Sequence, residues 1–253
     1  MKKKIIAKEV TKEALYGANP IIELLKAKKR KLISIYTKKQ LPKSWFRIQQ
    51  YLPSYTINIQ YVETAVLDRF AGTTDHMGIV ALVAPFQTSS KMFNSEKKPF
   101  ILLLDSVQDV RNLGAILRSA YCAGVNGVVL CKNNAAQLSP AVFKASSGYA
   151  EHLDIYIAPS LKHAIIEIKK AGYKLYMAVI DGQDATQVSF QKPACLVIGN
   201  EETGISKEVR KDGELVTIPQ RSSDVSYNAS VAAGILLFFL SWKINTLSLP
   251  KKI

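Results

Sequence analysis

The chain has 253 residues, 48% of them hydrophobic and 21% charged, which is enough to bury one large or two ordinary cores and excludes a disordered or fibrous chain. Its formal net charge of +14 is uneven: residues 1–98 hold 18 Lys and Arg against 7 Asp and Glu, a surplus of +11, while residues 99–253 hold 16 against 13, a surplus of +3. Cys122, Cys131 and Cys195 lie far apart in apolar stretches, which excludes a disulfide framework and reads as buried free thiols in a reducing compartment, the cytoplasm.

No CxxC pair is present and His76, His152 and His163 are isolated, so no metal site is expected. At the start of the chain, Ile5, Ile6 and Ala7 stand between basic residues, too short an apolar run for a secretory signal. The basic clusters Lys2-Lys3-Lys4 and Lys26-Ala27-Lys28-Lys29-Arg30-Lys31 suit a polyanion, because neutralised phosphates release their counterions. A solvated lysine-rich face is the alternative, and charge does not choose between RNA and DNA. Asn19-Pro20 places a capping residue before a proline suited to a first helical position, with Ile21, Ile22, Leu24 and Leu25 as the apolar face. Strands are expected at residues 32–36 and 78–84 and a helix over 43–51, which makes residues 1–84 a small α/β domain. Residues 85–98 carry prolines near both ends of a polar stretch and read as a linker or loose surface loop.

From residue 99 short apolar strands alternate with helical segments. Strands are expected at 100–104, 127–130, near 155, and at 174–179, 194–199 and 214–218; helices are expected at 112–123, 140–145, 160–171 and from 229. Such alternation implies a mainly parallel sheet with helices on both faces, where ligands bind beyond the C-terminal ends of the strands. The apolar run 229–242 falls short of the roughly 20 residues that span a bilayer, so it reads as a buried helix and no membrane is expected.

Three loops that leave strands hold the chemistry-bearing residues. The first, 105–118, leads into a helix that Asn112 can cap, with Arg118 nearly two turns on. The second is Gly199-Asn200-Glu201-Glu202-Thr203-Gly204, whose paired glycines permit a sharp turn close to a ligand but lack the GxGxxG dinucleotide pattern. The third runs from Ile218-Pro219 to Ser226-Tyr227-Asn228 and into Ala229-Ser230-Val231-Ala232-Ala233-Gly234, with Ser226 and Asn228 both good capping residues.

Taken together, Asn112-Leu113-Gly114-Ala115 with Arg118, Gly199-Asn200-Glu201 with Gly204, and Ile218-Pro219 with the 226–234 segment resemble the three motifs of the SpoU (TrmH) branch of the SPOUT methyltransferases. The segment 16–25 resembles the start of that family's N-terminal substrate-binding domain, and 77–81 its closing strand. The resemblance implies an α/β chain: an N-terminal L30e-like RNA-binding domain (1–84), a linker (85–98), and a C-terminal SPOUT domain with a trefoil knot (99–253), working as a homodimer. It implies S-adenosylmethionine as cofactor, held largely by the backbone of Gly199, Ile218 and Tyr227. Asn112, Arg118, Glu201, Ser226 and Asn228 match catalytic or substrate-contacting positions. The implied activity is RNA 2′-O-ribose methylation, on ribosomal RNA or alternatively transfer RNA; a module that kept the fold and the RNA binding but lost the chemistry is the rival. Glu202 stands where the family usually has glycine, and Tyr227 where it has leucine.

Overall fold

The computed structural model describes residues 12–222 and 224–247; the Lys2-Lys3-Lys4 cluster and the apolar run at 5–7 lie outside them. The chain forms two compact units, Met1–Gln87 and Thr88–Ile253.

The first unit runs β1 (Glu13–Tyr16), α1 (Ala18–Ala27), β2 (Leu32–Thr37), α2 (Trp45–Gln49), β3 (Asn58–Tyr61), α3 (Thr64–Ala71) and β4 (Ile79–Val83). Its sheet has the order β1-β4-β2-β3, antiparallel across β1-β4 and β4-β2 and parallel between β2 and β3. Helix α1 begins one residue before Asn19, after Gly17 at φ 82°, with no side-chain cap. Asn19 instead accepts a hydrogen bond from Arg47 at 3.1 Å. The basic cluster is not uniform either: Lys26, Lys28, Lys29 and Lys31 are exposed, but Arg30 is buried, 2.6 Å from Glu13. An arginine committed to an internal carboxylate is unavailable to a polyanion.

The second unit runs β5 (Phe100–Leu104), α4 (Val110–Cys122), β6 (Gly127–Cys131), α5 (Pro140–Ala145), a 3₁₀ turn (Tyr149–His152), β7 (Ile155–Ala158), α6 (Leu161–Lys170), β8 (Lys174–Asp184), β9 (Ala194–Ile198), α7 (Lys207–Arg210), β10 (Glu214–Thr217) and α8 (Ala229–Lys243). All six strands are parallel, in the order β10-β8-β9-β5-β6-β7. Every residue of the central strands β5, β6 and β9 is buried, as the uninterrupted apolar runs require when helices cover both faces. Parallel strands end on one edge of the sheet, so the loops after β5, β9 and β10 gather there.

Four expectations change. Residues 88–98 are not loose: Ser89 donates its N–H to Ile155 at 2.7 Å, Phe93 is 5% exposed against Gly127, and Lys98 bonds Asn126 and Asp154. Phe93, with Met92 packed against the same core, anchors this largely polar stretch. Helix α4 starts at Val110 and is capped by Asp109, which accepts from the Arg111 N–H at 2.7 Å. Cys122 is exposed at the outer face of α4, whereas Cys131 and Cys195 are buried. Burial, with the charge of Asp105 as a lesser cause, pushes the Cys131 thiol up to about 12, and burial raises Cys195 as well. Finally, α8 is not buried all round: Val231, Phe238 and Trp242 are 48%, 57% and 59% exposed. Among the described residues no helix is long and apolar enough to cross a membrane.

Candidate active site

The pairing of β8 with β10 opens a pocket at this edge. Leu215 pairs with Met177, but the next residue, Val216, pairs with Gln183. Five residues of β8, 178–182, are thereby left out of the ladder, a large bulge that bends the strand aside. Ala178, Val179, Ile180 and Asp181 from this bulge form one wall of a cavity of about 410 Å³. The loops after β9 and β10 form the other walls, with Gly199, Glu201, Ile218, Ser226 and Tyr227 among the lining residues.

Gly199 is needed for the shape of that cavity. A Cβ on it would stand 2.3 Å from the carbonyl carbon of Gly204 and 2.4 Å from the Ile205 nitrogen. The turn between them is closed by paired backbone bonds, Asn200 N–H to Gly204 O at 3.2 Å and Gly204 N–H to Asn200 O at 3.0 Å. Asn200 Oδ1 also accepts from the N–H groups of Glu202 and Thr203, at 2.9 and 3.1 Å. Glu202, a departure from the family pattern, is exposed and leaves this turn tight. Gly204 takes the left-handed conformation at φ 65° that lets the chain turn back.

Two side-chain bridges join the first and second loops. Asn112 Nδ2 donates to Glu201 Oε1 at 2.9 Å, and Asn200 Nδ2 donates to the Ser106 carbonyl at 2.8 Å. Because Asp109 caps α4, the Asn112 amide is available for Glu201. Asn200 Nδ2 also reaches the other Glu201 oxygen at 3.4 Å, so each carboxylate oxygen faces an amide donor. Beneath them Asp105 is 7% exposed at the end of β5, and desolvation raises its carboxyl above the usual range although Ser106 and the Ser206 backbone donate to it.

In the third loop the two capping candidates separate. Asn228 caps α8, accepting from the Ser230 N–H at 2.9 Å and from its hydroxyl at 2.6 Å. Ser226 lines the cavity and is exposed. Arg118 is not on the cavity wall. It lies six residues beyond Asn112, about 9 Å along the helix and on another face, where its guanidinium donates to Ser147 Oγ at 3.2 Å.

Asp181 and Arg210 also line the pocket and were not anticipated. They are 3.4 Å apart, and Arg210 Nε donates to the Ile205 carbonyl at 3.0 Å, which braces the base of the glycine turn. A polar Asp181-Gly182 pair at the end of an apolar run was the available signal. Among the described residues no group of three or more His, Cys, Asp and Glu could hold a metal ion.

Residues 99–238 match the model of the SpoU rRNA methylase family, and residues 14–89 match the RNA 2′-O ribose methyltransferase substrate-binding family. The chain is 32% identical over 240 residues, 90% of its length and 95% of the relative's, to YacO of Bacillus subtilis (strain 168), assigned to the TrmH family of tRNA/rRNA methyltransferases. It is 29% identical, over 89% of its length and 96% of the relative's, to the 23S rRNA (guanosine-2′-O-)-methyltransferase RlmB of Haemophilus influenzae. Among solved structures, an RNA 2′-O ribose methyltransferase superposes with a TM-score of 0.79 at 22% identity, covering 94% of this chain and 90% of that one. The methyltransferase AviRb from Streptomyces viridochromogenes, in complex with AdoMet, superposes with a TM-score of 0.75 at 21% identity, covering 92% and 90%.

Proposed function

The chain belongs to the SpoU rRNA methylase family, and on that premise we propose that it is an S-adenosylmethionine-dependent RNA methyltransferase that modifies a ribose 2′-hydroxyl of ribosomal RNA. The observation that carries this reading is the juxtaposition of the glycine-tight cavity with the Asn112–Glu201 bridge at its rim.

The cavity fits the cofactor. Its volume lies in the range of small-molecule sites. Ile198, Val179, Leu236 and the Tyr227 ring offer apolar surface to an adenine, and Glu201 and Glu202 offer carboxylates to a cationic group, while Asp181 is paired with Arg210. Gly199 lets the turn that walls the cavity pack closely, since a Cβ there would collide with the Gly204 and Ile205 backbone. Gly199, Ile218 and Tyr227 are the residues that would hold it. When bound, S-adenosylmethionine supplies a methyl already activated by its sulfonium. The protein's residues must therefore align the ribose and accommodate one proton.

Those tasks divide among the candidates. A guanidinium offers five N–H donors and no acceptor, so Arg118 serves as an anchor for the target phosphate and a charge that stabilises the developing alkoxide rather than as a base. Glu201, held on both oxygens by amides, orients a ribose hydroxyl and is a nearby proton acceptor. Asn112 and Asn228 hold Glu201 and the third loop, and Ser226 faces the substrate side of the cavity.

Two features support a homodimer. Arg118 is not on the cavity wall of its own protomer, and α8 presents Val231, Phe238 and Trp242 to the outside. A second copy covers that face and brings the arginine to a cavity. In the N-terminal unit, exposed Lys28, Lys29 and Lys31 beside exposed Tyr51 and Tyr55 support an RNA grip by phosphate neutralisation and stacking, with Lys31 already 5.6 Å from the Tyr55 ring centroid. An RNA-modifying enzyme with buried free thiols belongs in the cytoplasm.

In vitro transfer tests the reading. Purified protein incubated in parallel with unmodified ribosomal RNA and with unmodified transfer RNA, each with S-adenosylmethionine labelled in its methyl group, is expected to yield label from the ribosomal RNA in a 2′-O-methylnucleoside after digestion to nucleosides. Label on a base, or on transfer RNA alone, would overturn the sugar or the ribosomal assignment respectively.

A further inference from the structure

We propose that Ser147 and Tyr149, on the turn that follows α5, form a clamp that positions Arg118 for the transfer; the idea rests on Arg118 acting at the target nucleotide. Arg118 is exposed on α4, where a long side chain would ordinarily sample many rotamers. It is instead held at two points. Its Nη1 donates to Ser147 Oγ at 3.2 Å, and its Cζ lies 5.9 Å from the centroid of the Tyr149 ring. The ring is fixed in turn: Tyr149 stacks on Tyr121 with centroids 4.9 Å apart at 25°, and Tyr121 lies 4.9 Å from the His152 ring. Tyr121 follows Arg118 by three residues on the same face of α4, so one aromatic surface backs both.

The local sequence folds to deliver this clamp. Gly114 lets the end of α5 rest on α4, since a Cβ there would stand 2.3 Å from the Ala145 Cβ and 2.9 Å from the Ser146 nitrogen. Helix α5 then ends in a reversal with two closing bonds, Gly148 N–H to Phe143 O at 2.8 Å and Ser147 N–H to Lys144 O at 2.9 Å. In such an ending the first residue past the cap is left-handed and is usually glycine. Here it is Ser147 at φ 54°, followed by Gly148 at φ 87°. A serine in a position that favours glycine is strained, and strain of this kind concentrates where a side chain is wanted. The wanted group is its hydroxyl, because that oxygen accepts from Arg118. Only one guanidinium N–H is committed to Ser147, which leaves donors for a phosphate or a ribose oxygen.

Three variants of the full chain test the clamp. Ser147→Gly removes the hydroxyl and relieves the backbone, so its melting temperature is expected to rise while its turnover falls. Tyr149→Ala is expected to lower kcat by about 10- to 100-fold, the scale of a small misplacement of a reacting group, with cofactor Kd unchanged. Tyr149→Phe keeps the ring and is expected to recover most of that loss. On an Arg118→Ala background, Tyr149→Ala is expected to cost nothing further. Ser147→Gly at wild-type turnover, Tyr149→Phe as impaired as Tyr149→Ala, or the same cost of Tyr149→Ala with and without Arg118 would each overturn the clamp. A readout independent of transfer separates this from the functional reading: NMR relaxation of the Arg118 Nε–Hε group is expected to show order in the wild type and fast motion in Tyr149→Ala. Equal mobility in both refutes the clamp even if no RNA is ever methylated, and an ordered Arg118 in a protein that methylates nothing refutes the functional reading alone.

Discussion

Gly199→Ala is expected to weaken binding of S-adenosylmethionine by up to about 100-fold while the protein remains folded. All three of the nearest atoms to the added methyl are backbone: the Gly204 carbonyl carbon at 2.3 Å, the Ile205 nitrogen at 2.4 Å and the Gly204 oxygen at 2.6 Å. No rotamer change can clear them. The turn must open instead, breaking the paired bonds between Asn200 and Gly204 and displacing Glu201 from Asn112. Overpacking of this kind costs about 1–3 kcal/mol, and about 2.7 kcal/mol corresponds to a hundredfold in affinity. The loss falls on the cavity because the turn is its wall, while the buried strand β9 beneath is untouched. Titration calorimetry with S-adenosylmethionine, beside a thermal melt to establish folding, measures it. A folded Gly199→Ala protein with affinity within threefold of the wild type would remove the glycine turn from the cofactor's site.

The second large effect is kinetic. Arg118→Ala is expected to lower turnover by about 10²–10³-fold, the range for loss of one preorganised group that stabilises developing negative charge, with no change in cofactor Kd. The unchanged Kd is expected because the guanidinium, held by Ser147 and Tyr149 outside its own protomer's cavity, addresses the target nucleotide and not the cofactor. Arg118→Lys keeps the charge but loses the planar fork, so it is expected to recover only part of the rate. Single-turnover rates with cofactor binding measured in parallel distinguish the cases. If the lysine variant turned over like the wild type with the same pH profile, the fork would play no part; if the alanine variant lost cofactor affinity in step with rate, the separation of the two tasks would be wrong.

What the sequence made legible follows the physics of burial. Strands β5, β6 and β9 are buried on both faces and read as unbroken apolar runs, so their places were plain. The start of α8 was legible too, but Ser226 and Asn228 both offered a cap and the fold uses Asn228. Strand β3 was missed because it is only four residues long with three of them exposed, although Ile57, Ile59 and Tyr61 alternate with Asn58 and Gln60. Helix α3 likewise begins without a side-chain cap. The cap of α4 was misplaced by three residues because Asp109 and Asn112 are both good capping types, and only the fold shows that Asn112 is engaged by Glu201.

Within the site, the residues of the three loops were legible as motifs but their arrangement was not. The wall at 178–181 exists because β10 skips along β8, a tertiary register that leaves no local mark. The holders of Arg118 come from a turn 29 residues away in sequence. Glu202 looked like an intrusion in a tight turn, yet its exposed side chain leaves the turn intact.

Ribose methylation of ribosomal RNA is read out by a map of 2′-O-methyl positions. Ribosomal and transfer RNA from a strain lacking this gene would be compared with RNA from its parent. The account predicts that a ribosomal 2′-O-methyl present in the parent disappears, returns with the wild-type gene, and does not return with the Arg118→Ala gene. Identical maps in the two strains would contradict it.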